Sequence, residues 1–288
     1  MSLSHKLRGA ALAAVALVAM ASCSSAAEET PVPTSTPTDT ATAEPLPTLT
    51  EGKLTIATGD PAYSPWVLNN APESGEGFEA AVAYAVAEQL GFAKEDVVWV
   101  RTTFDAAIAV GPKDFDFNLQ QFSVTDDRKK VVDFSSPYYT TTQAIVTTGS
   151  SPAASATSLA DLKAVRVGAM TGTTSYEAAA AQIGTDKLDV FNSNDDAVAA
   201  LQAGQVDAIV VDLPTAFYLR DAVLDEGKIV GQLAESTAGG DQFGLLLAKN
   251  SPLTPAVTAA VDALQADGTL AALEDKWLTT AENIPVLQ

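Results

Sequence analysis

The side chains best placed to do chemistry lie within residues 120–139, QQFSVTDDRKKVVDFSSPYY. Gln120, Gln121 and Ser123 make a polar patch, and Thr125-Asp126-Asp127-Arg128 then carries the marks of a helix start. Thr125 can cap, and acids at 126 and 127 suit the positive end of a helix dipole. Arg128 falls on the first turn, near the strand-to-helix crevice in which open α/β sheets hold ligands. Its guanidinium is planar and always charged, and a carboxylate fits it with two parallel bonds. Taken alone, the TDDR run reads more simply as a solvated helix start with an ordinary surface arginine.

The surrounding elements decide what Arg128 can meet. Order begins at Lys53, with a strand at 54–58 ended by Gly59-Asp60-Pro61 and a loop holding Tyr63, Pro65 and Trp66. Phe78, Val82, Val86 and Leu90 recur at helical spacing over 77–90, and Gly91 closes that helix. A strand at 97–100, a helix from Phe104 and an extended segment at 115–122 lead into the polar patch, and 138–148 is again strand-like. A second run follows: a Ser158/Asp161 capping box, a strand at 165–169, the Thr171–Ser175 turn into a helix near 175–183, and a strand at 188–191. Then come a helix at 194–203, a buried strand at 206–212 ending in Asp212, and a helix at 214–223. A strand at 243–248 and helices at 252–266 and 268–278 finish the chain. This β-α-β-α-β order, used twice, predicts mainly parallel sheets flanked by helices. Thr171–Ser175 lacks the Gly-Lys-Ser/Thr signature of a phosphate loop.

Charge and composition narrow the function. The 288 residues hold 36 acids against 16 bases, a formal charge of −20, and 47% hydrophobic residues, enough for one large or two medium cores. Such a surface argues against nucleic acid or anionic lipid as a partner through a basic face. Residues 1–22 read as a targeting segment: a charged start with His5, Lys6 and Arg8, then the apolar run 9–20, short for a membrane span. Ala21-Ser22-Cys23 resembles a bacterial lipobox, with Met20 where leucine is usual. The resemblance implies cleavage before Cys23 and a lipid on its thiol; the only cysteine of the chain has no disulfide partner. Cleavage would also remove the only histidine and leave 14 bases against 36 acids, −22. No His or free Cys would then serve a metal site, a catalytic triad or thiol chemistry, and no metal or cofactor is expected. Residues 23–50 are rich in Ser, Thr, Pro and Ala and read as a disordered tether.

Seven segments in order are similar to the extracytoplasmic solute-binding proteins of ABC importers, in the polar amino-acid family. They are LTIATGDPAYSPW, GFEAAVAYAVAEQLG, VTDDRKKVVDFSSPYY, VGAMTGTTSYE, VDAIVVDLPTAFYL, DQFGLLLAKNSPL and DGTLAALEDKW, between Lys53 and Leu278. The resemblance implies a two-lobed α/β periplasmic-binding-protein fold of type II, with two strands crossing between the lobes. Lobe one would be 51–138 plus 243–288, lobe two 143–238, and the hinge 139–142 and 239–242.

The same resemblance implies site roles. Arg128 would clamp a ligand α-carboxylate, helped by the Ser123 hydroxyl and the Thr174 backbone N–H. Asp212 would receive the α-ammonium, Tyr63 and Phe104 would wall the side chain, and Asp60 would read it. Three positions depart from the family pattern: Met170 stands where some members carry a lysine or other polar group and would disfavour an acidic side chain, Gln121 is bulkier than the small residues often found there and would narrow the pocket, and Gln242 at the hinge would reach the ligand's far end. A dipolar ligand needs one fixed cation and one fixed anion, so the chemistry is coherent on its own terms. Other readings stay open for each. Tyr63 and Phe104 could be core, Asp212 could cap the helix at Pro214, and Asp60 before a proline is a common turn device. Asp60 with several glutamines and no free cation suggests a neutral polar or cationic ligand side chain. The expected protein is a monomeric, lipid-anchored, extracytoplasmic receptor that passes a free amino acid to importer membrane subunits, and not an enzyme. The alternative is a dehydratase on the same scaffold acting on a cyclic carboxylic acid through a carboxyl acid/base such as Asp60. Further rivals are a membrane sensor, which normally continues into a membrane helix and a signalling domain that are not expected here, and a lipid-anchored adhesin or scaffold, which would show no small-molecule pocket.

Overall fold

The computed structural model describes residues 45–235, 240–278 and 282–288. The leader, Cys23, most of the tether and residues 236–239 of the second crossing lie outside the described residues. In chain order the first half builds β1 (Leu54–Gly59), α1 (Phe78–Gln89), β2 (Val97–Thr102), α2 (Phe104–Ile108), β3 (Phe117–Asn118), α3 (Asp126–Lys129) and β4 (Val132–Thr141). The chain then builds β5 (Gln143–Thr148), α4 (Leu159–Lys163), β6 (Val167–Met170), α5 (Thr174–Gln182), β7 (Leu188–Phe191), α6 (Asn194–Gln202), β8 (Ala208–Asp212), α7 (Leu213–Tyr218) and β9 (Gly227–Gln232). It ends with β10 (Asp241–Ala248), α8 (Thr254–Ala266) and α9 (Thr269–Trp277).

Two five-stranded sheets result, ordered β2-β1-β3-β10-β4 and β7-β6-β8-β5-β9. Each is evenly mixed rather than mainly parallel. β1 runs parallel to β2 and β3 while β10 is antiparallel to β3 and β4, and β6 runs parallel to β7 and β8 while β5 is antiparallel to β8 and β9. The strands that break the βαβ rhythm are those next to the crossings. A chain leaving one sheet for the other arrives without a crossover helix, so nothing enforces parallel entry. Thr142 alone separates β4 from β5, and β10 begins at Asp241, paired with Thr141.

Each sheet carries its own core. In the first, Trp66 packs edge-on against Phe78, Tyr139 and Phe243 at centroid distances of 5.7–6.1 Å. Phe78, Val82 and Val86 of α1 point inward as their spacing predicts, and Trp99 and Trp277 pack at the edge of that core. Gly77 caps α1 at φ +103°, where a Cβ would meet the Trp66 carbonyl at 2.5 Å, so only glycine lets the loop lie against the helix start. Trp66 is more than core filler. Its indole N–H crosses to the second lobe and donates to Thr215 Oγ1 at 2.9 Å.

The C-terminal tail departs from expectation. The resemblance places residues 282–288 with lobe one, yet they lie on the second sheet. Gln232 N donates to Pro285 O at 2.8 Å and Leu287 N to Gln232 O at 2.9 Å, and Arg220 pairs with Glu282 at 2.6 Å. Leu287 is 5% exposed within the second core. It fits because Gly231 has no side chain; a Cβ there would sit 2.6 Å from Leu287 Cγ. Leu287→Ala is expected to destabilise the second lobe by roughly 2–4 kcal/mol in urea unfolding. A loss below roughly 0.5 kcal/mol, the level of an ordinary surface substitution, would show that the tail does not pack there.

Candidate functional site

Between the two sheets lies a cavity of about 180 Å³, reached by the carboxyl ends of β1, β6 and β8 and by the polar patch after β3. Nine of the ten expected ligand residues line it: Asp60, Tyr63, Phe104, Gln121, Ser123, Arg128, Met170, Thr174 and Asp212. The tenth does not. Gln242 is exposed and faces a separate surface groove with Val124 and Lys129. Side chains alternate along a strand, so in β10 it is the neighbour Asp241 that turns inward, 8% exposed.

Arg128 arises as its sequence suggests. Thr125 Oγ1 accepts from Arg128 N at 3.2 Å, which starts α3 and fixes the direction of the arginine. Its guanidinium then bridges the lobes. Nη1 donates to Ser123 O at 2.7 Å and Nη2 to Gly172 O at 2.9 Å, with Cζ 5.2 Å from the centre of the Phe104 ring. Phe104 in turn stacks on Phe122 at 4.9 Å, so it seats the arginine as well as walling the cavity. Two of the five guanidinium N–H groups are thus held by backbone carbonyls, and the others remain to receive an anion. Burial draws the Arg128 pKa down, while Glu177, Asp241 and Asp212 hold it up. Among the described residues lining the cavity, Arg128 is the only cation.

Asp212 stands at the end of β8. It occupies the N-cap position of α7 but makes no side-chain cap bond, so the capping role does not apply. Instead, Gln143 Nε2 donates to Asp212 Oδ1 at 2.8 Å and to Asp241 Oδ2 at 2.7 Å, and Gln143 Oε1 accepts from Ser175 Oγ at 2.6 Å. One amide therefore spreads two carboxylates apart with its full donor set. Burial raises the Asp212 pKa to about 7; Asp241 and Glu79 push the same way, and Gln143 and Arg128 oppose. Glu79 lies behind the cavity wall, 1% exposed. Its Oε1 accepts from Gln121 N at 2.7 Å and from the Tyr138 hydroxyl, and its Oε2 accepts from Gln121 Nε2. Burial raises its pKa to about 7 against those three bonds.

The rest of the wall joins the lobes. Ser123 Oγ and Thr174 Oγ1 are 3.1 Å apart. Tyr63 hydrogen-bonds Asp195 from the opposite lobe, and burial beside that acid pushes the phenol up to about 12. Gln143, Asp241 and Glu79 escaped the sequence reading, as did Asn192, Ser193 and Asn194, which line the cavity at the start of α6. Glu79 did leave a signal: it shares a helical face with Val82, Ala83 and Val86, where a charge is out of place. Gln143 opens a buried strand whose next three residues are apolar.

Residues 54–280 match the model of the bacterial extracellular solute-binding proteins, family 3. An L-arginine-binding protein of Pseudomonas aeruginosa is 30% identical over 81% of this chain and 91% of its own length. An L-cystine-binding protein of Escherichia coli is 32% identical over 75% of this chain and 79% of its own. Among solved structures, an ancestral arginine-binding protein bound to arginine superposes with a TM-score of 0.66 at 32% identity, covering 80% of this chain and 99% of that one. The two-sheet architecture, the cleft between the sheets and these matches agree, and the chain belongs to the bacterial extracellular solute-binding proteins, family 3.

Proposed function

We propose that this protein captures a free amino acid between its lobes and delivers it to the membrane subunits of an ABC importer. The observation that carries the reading is that Arg128 of one lobe and Asp212 of the other line one cavity. The α-carboxylate would take the free guanidinium N–H groups and the Ser123 hydroxyl, and the α-ammonium would displace the Gln143 amide as the partner of Asp212. Each charge-assisted bond is worth about 1.5–3 kcal/mol. Both ends of the dipole are then matched, and the ligand would hold the lobes together through hinges at 139–142 and 239–242.

The balance of charge favours a cationic or donor-rich side chain. Asp60, Asp212 and, behind them, Asp241 and Glu79 face a single arginine. Gln120, in the cavity wall, keeps a buried Oε1 without a protein partner, an acceptor suited to an ammonium or guanidinium. The arginine- and cystine-binding relatives support an amino acid as cargo. They are binding proteins, and no feature of the cavity favours the dehydratase alternative over capture. Lipid on Cys23 would hold the receptor at the outer face of the cell membrane.

A thermal-shift screen of the proteinogenic amino acids tests the reading, because a ligand that binds the native state raises its melting temperature. A cationic amino acid is expected to give the largest shift; a screen in which none shifts the melt would refute amino-acid capture. Calorimetry on Arg128→Ala and Asp212→Asn should then show affinity lower by roughly a hundredfold or more in each, with unfolding cooperativity kept. Near-normal affinity in either variant counts against the assigned grip.

The acids predict an unusual pH response. Only the ionised Asp212 receives an ammonium, and its ligand-free pKa is about 7. Affinity should therefore fall by roughly tenfold per unit as pH drops below neutrality. Stability without ligand should move the other way. A carboxyl whose folded pKa exceeds its unfolded value binds protons more tightly when folded, so stability is highest below the unfolded pKa and is lost as pH rises through the folded one. Asp212 and Glu79, both near 7, place that loss between roughly pH 4 and pH 7. The ligand-free melting temperature should be higher at roughly pH 5 than at pH 8, and Glu79→Gln should flatten the difference. A melting temperature that rises with pH across that window would contradict the burial of these acids.

A further inference from the structure

A second chamber adjoins the first. It has a volume of about 320 Å³ and lies between the loop after β1 on one lobe and α6, α7 and the turn after α7 on the other. Pro61, Tyr63, Gln121 and Asn194 line both chambers, so they form the wall between them. Arg128, Asp212, Ser123 and Thr174 line only the first. The proposed grip on the α-carboxylate and α-ammonium therefore lies outside the shared wall, and a ligand side chain that leaves it past Tyr63 would enter the second chamber.

The second chamber has two kinds of surface. Val198, Leu219 and Val223 give an apolar side, and Asn69, Asn194 and Asp195 give a polar one. Its described lining holds one carboxylate, Asp195, and no lysine or arginine. The nearby Arg101 is held elsewhere, donating to Gly59 O, Asn70 O and Asn70 Oδ1. Asp195 already meets Tyr63 across the wall. An apolar stem followed by a positively charged end fits this surface, because the stem loses water against the valines and leucine while the end meets Asp195.

We infer that the second chamber is a side-chain extension subsite: the protein takes α-amino acids with long, cation-tipped side chains, which pass Tyr63 and end against Asp195. This rests on the amino-acid reading and adds to it a preference for length. Nothing in the first chamber alone demands such a preference, since Asp60 and Gln120 would satisfy a shorter cation there. Tyr63 is then a partition whose phenol yields Asp195 to the ligand, and Val198 is part of the floor the stem crosses.

The test is a length series of α-amino acids ending in an ammonium: diaminobutyrate, ornithine, lysine and homolysine, each measured by calorimetry on the full chain. Affinity is expected to rise by roughly fourfold for each added methylene once the side chain reaches the second chamber. Val198→Trp fills that chamber. It should abolish the rise for lysine and homolysine while leaving diaminobutyrate within roughly threefold, the span expected of a substitution that touches no ligand atom. Asp195→Asn should weaken the long members by roughly tenfold and spare the short ones. The melting temperatures of both variants without ligand serve as the folding control. An affinity that peaks at diaminobutyrate or ornithine, or a Val198→Trp variant that weakens every member equally, overturns the subsite. A wild-type protein silent to the whole series and to every other amino acid refutes the amino-acid reading itself, and the two failures are distinct.

Discussion

The structure depends on one guanidinium shared by two lobes. Arg128 belongs to the first lobe, yet one of its bonds, to Gly172 O, belongs to the second. A half-buried cation is compensated, and backbone carbonyl dipoles, the Phe104 ring and the acids across the cleft all contribute. The acids overcompensate. Asp212 and Asp241 share a single amide and Glu79 stands behind them, and burial pushes both Asp212 and Glu79 toward neutrality near pH 7, with Asp241 and Glu79 adding to the push on Asp212. A site built this way is poised rather than satisfied, and an added cation near Asp212 removes part of the penalty that burial imposes.

That poise also explains why closure would follow the ligand. Direct bonds between lobes among the described residues include Trp66 to Thr215, Ser123 to Thr174, Arg128 to Gly172, Tyr63 to Asp195 and, beside the hinge, Gln143 to Asp241. A neutral bond of this kind contributes about 1 kcal/mol net, and one to a charged group about 1.5–3 kcal/mol, since water would replace it in an open form. A ligand that bridges Arg128 and Asp212 adds charge-assisted bonds to the closed form alone, which is the differential affinity that a population shift needs.

What was legible in the sequence follows the same division. The helix starts at Thr125 and Ser158 were readable because capping is local, and the inward face of α1 because its period is. Arg128 and Asp212 stand out locally because one falls on a helix start and the other ends a strand, whereas the roles expected of them and of Ser123 came from the resemblance; the structure sets all three on one cavity. Gln242 was misplaced by a single residue, which on a strand is enough to turn a side chain from cleft to solvent. Gln143 and Asp241 gain their meaning only from each other across 98 positions of chain, a pairing no local pattern records. The tail went astray for a similar reason. Leu287 fills a space defined by the missing side chain of Gly231, and such a fit exists only in three dimensions.

Gln121 shows how the selectivity of such a cleft can be set from behind it. Its φ of +51° is left-handed, a conformation that costs a residue with a side chain about 1–3 kcal/mol. Glu79 offsets that cost by accepting from both the Gln121 backbone N–H and its side-chain amide, while Tyr138 holds Glu79 from the third side. The strained residue is thereby fixed where it borders both chambers. A glycine at 121 would relieve the strain but open the wall, and a glutamine without Glu79 would be free to relax. The buried acid and the strained amide therefore make sense only together: the carboxylate supplies the rigidity, and the amide turns it into the shape of the wall between the two chambers.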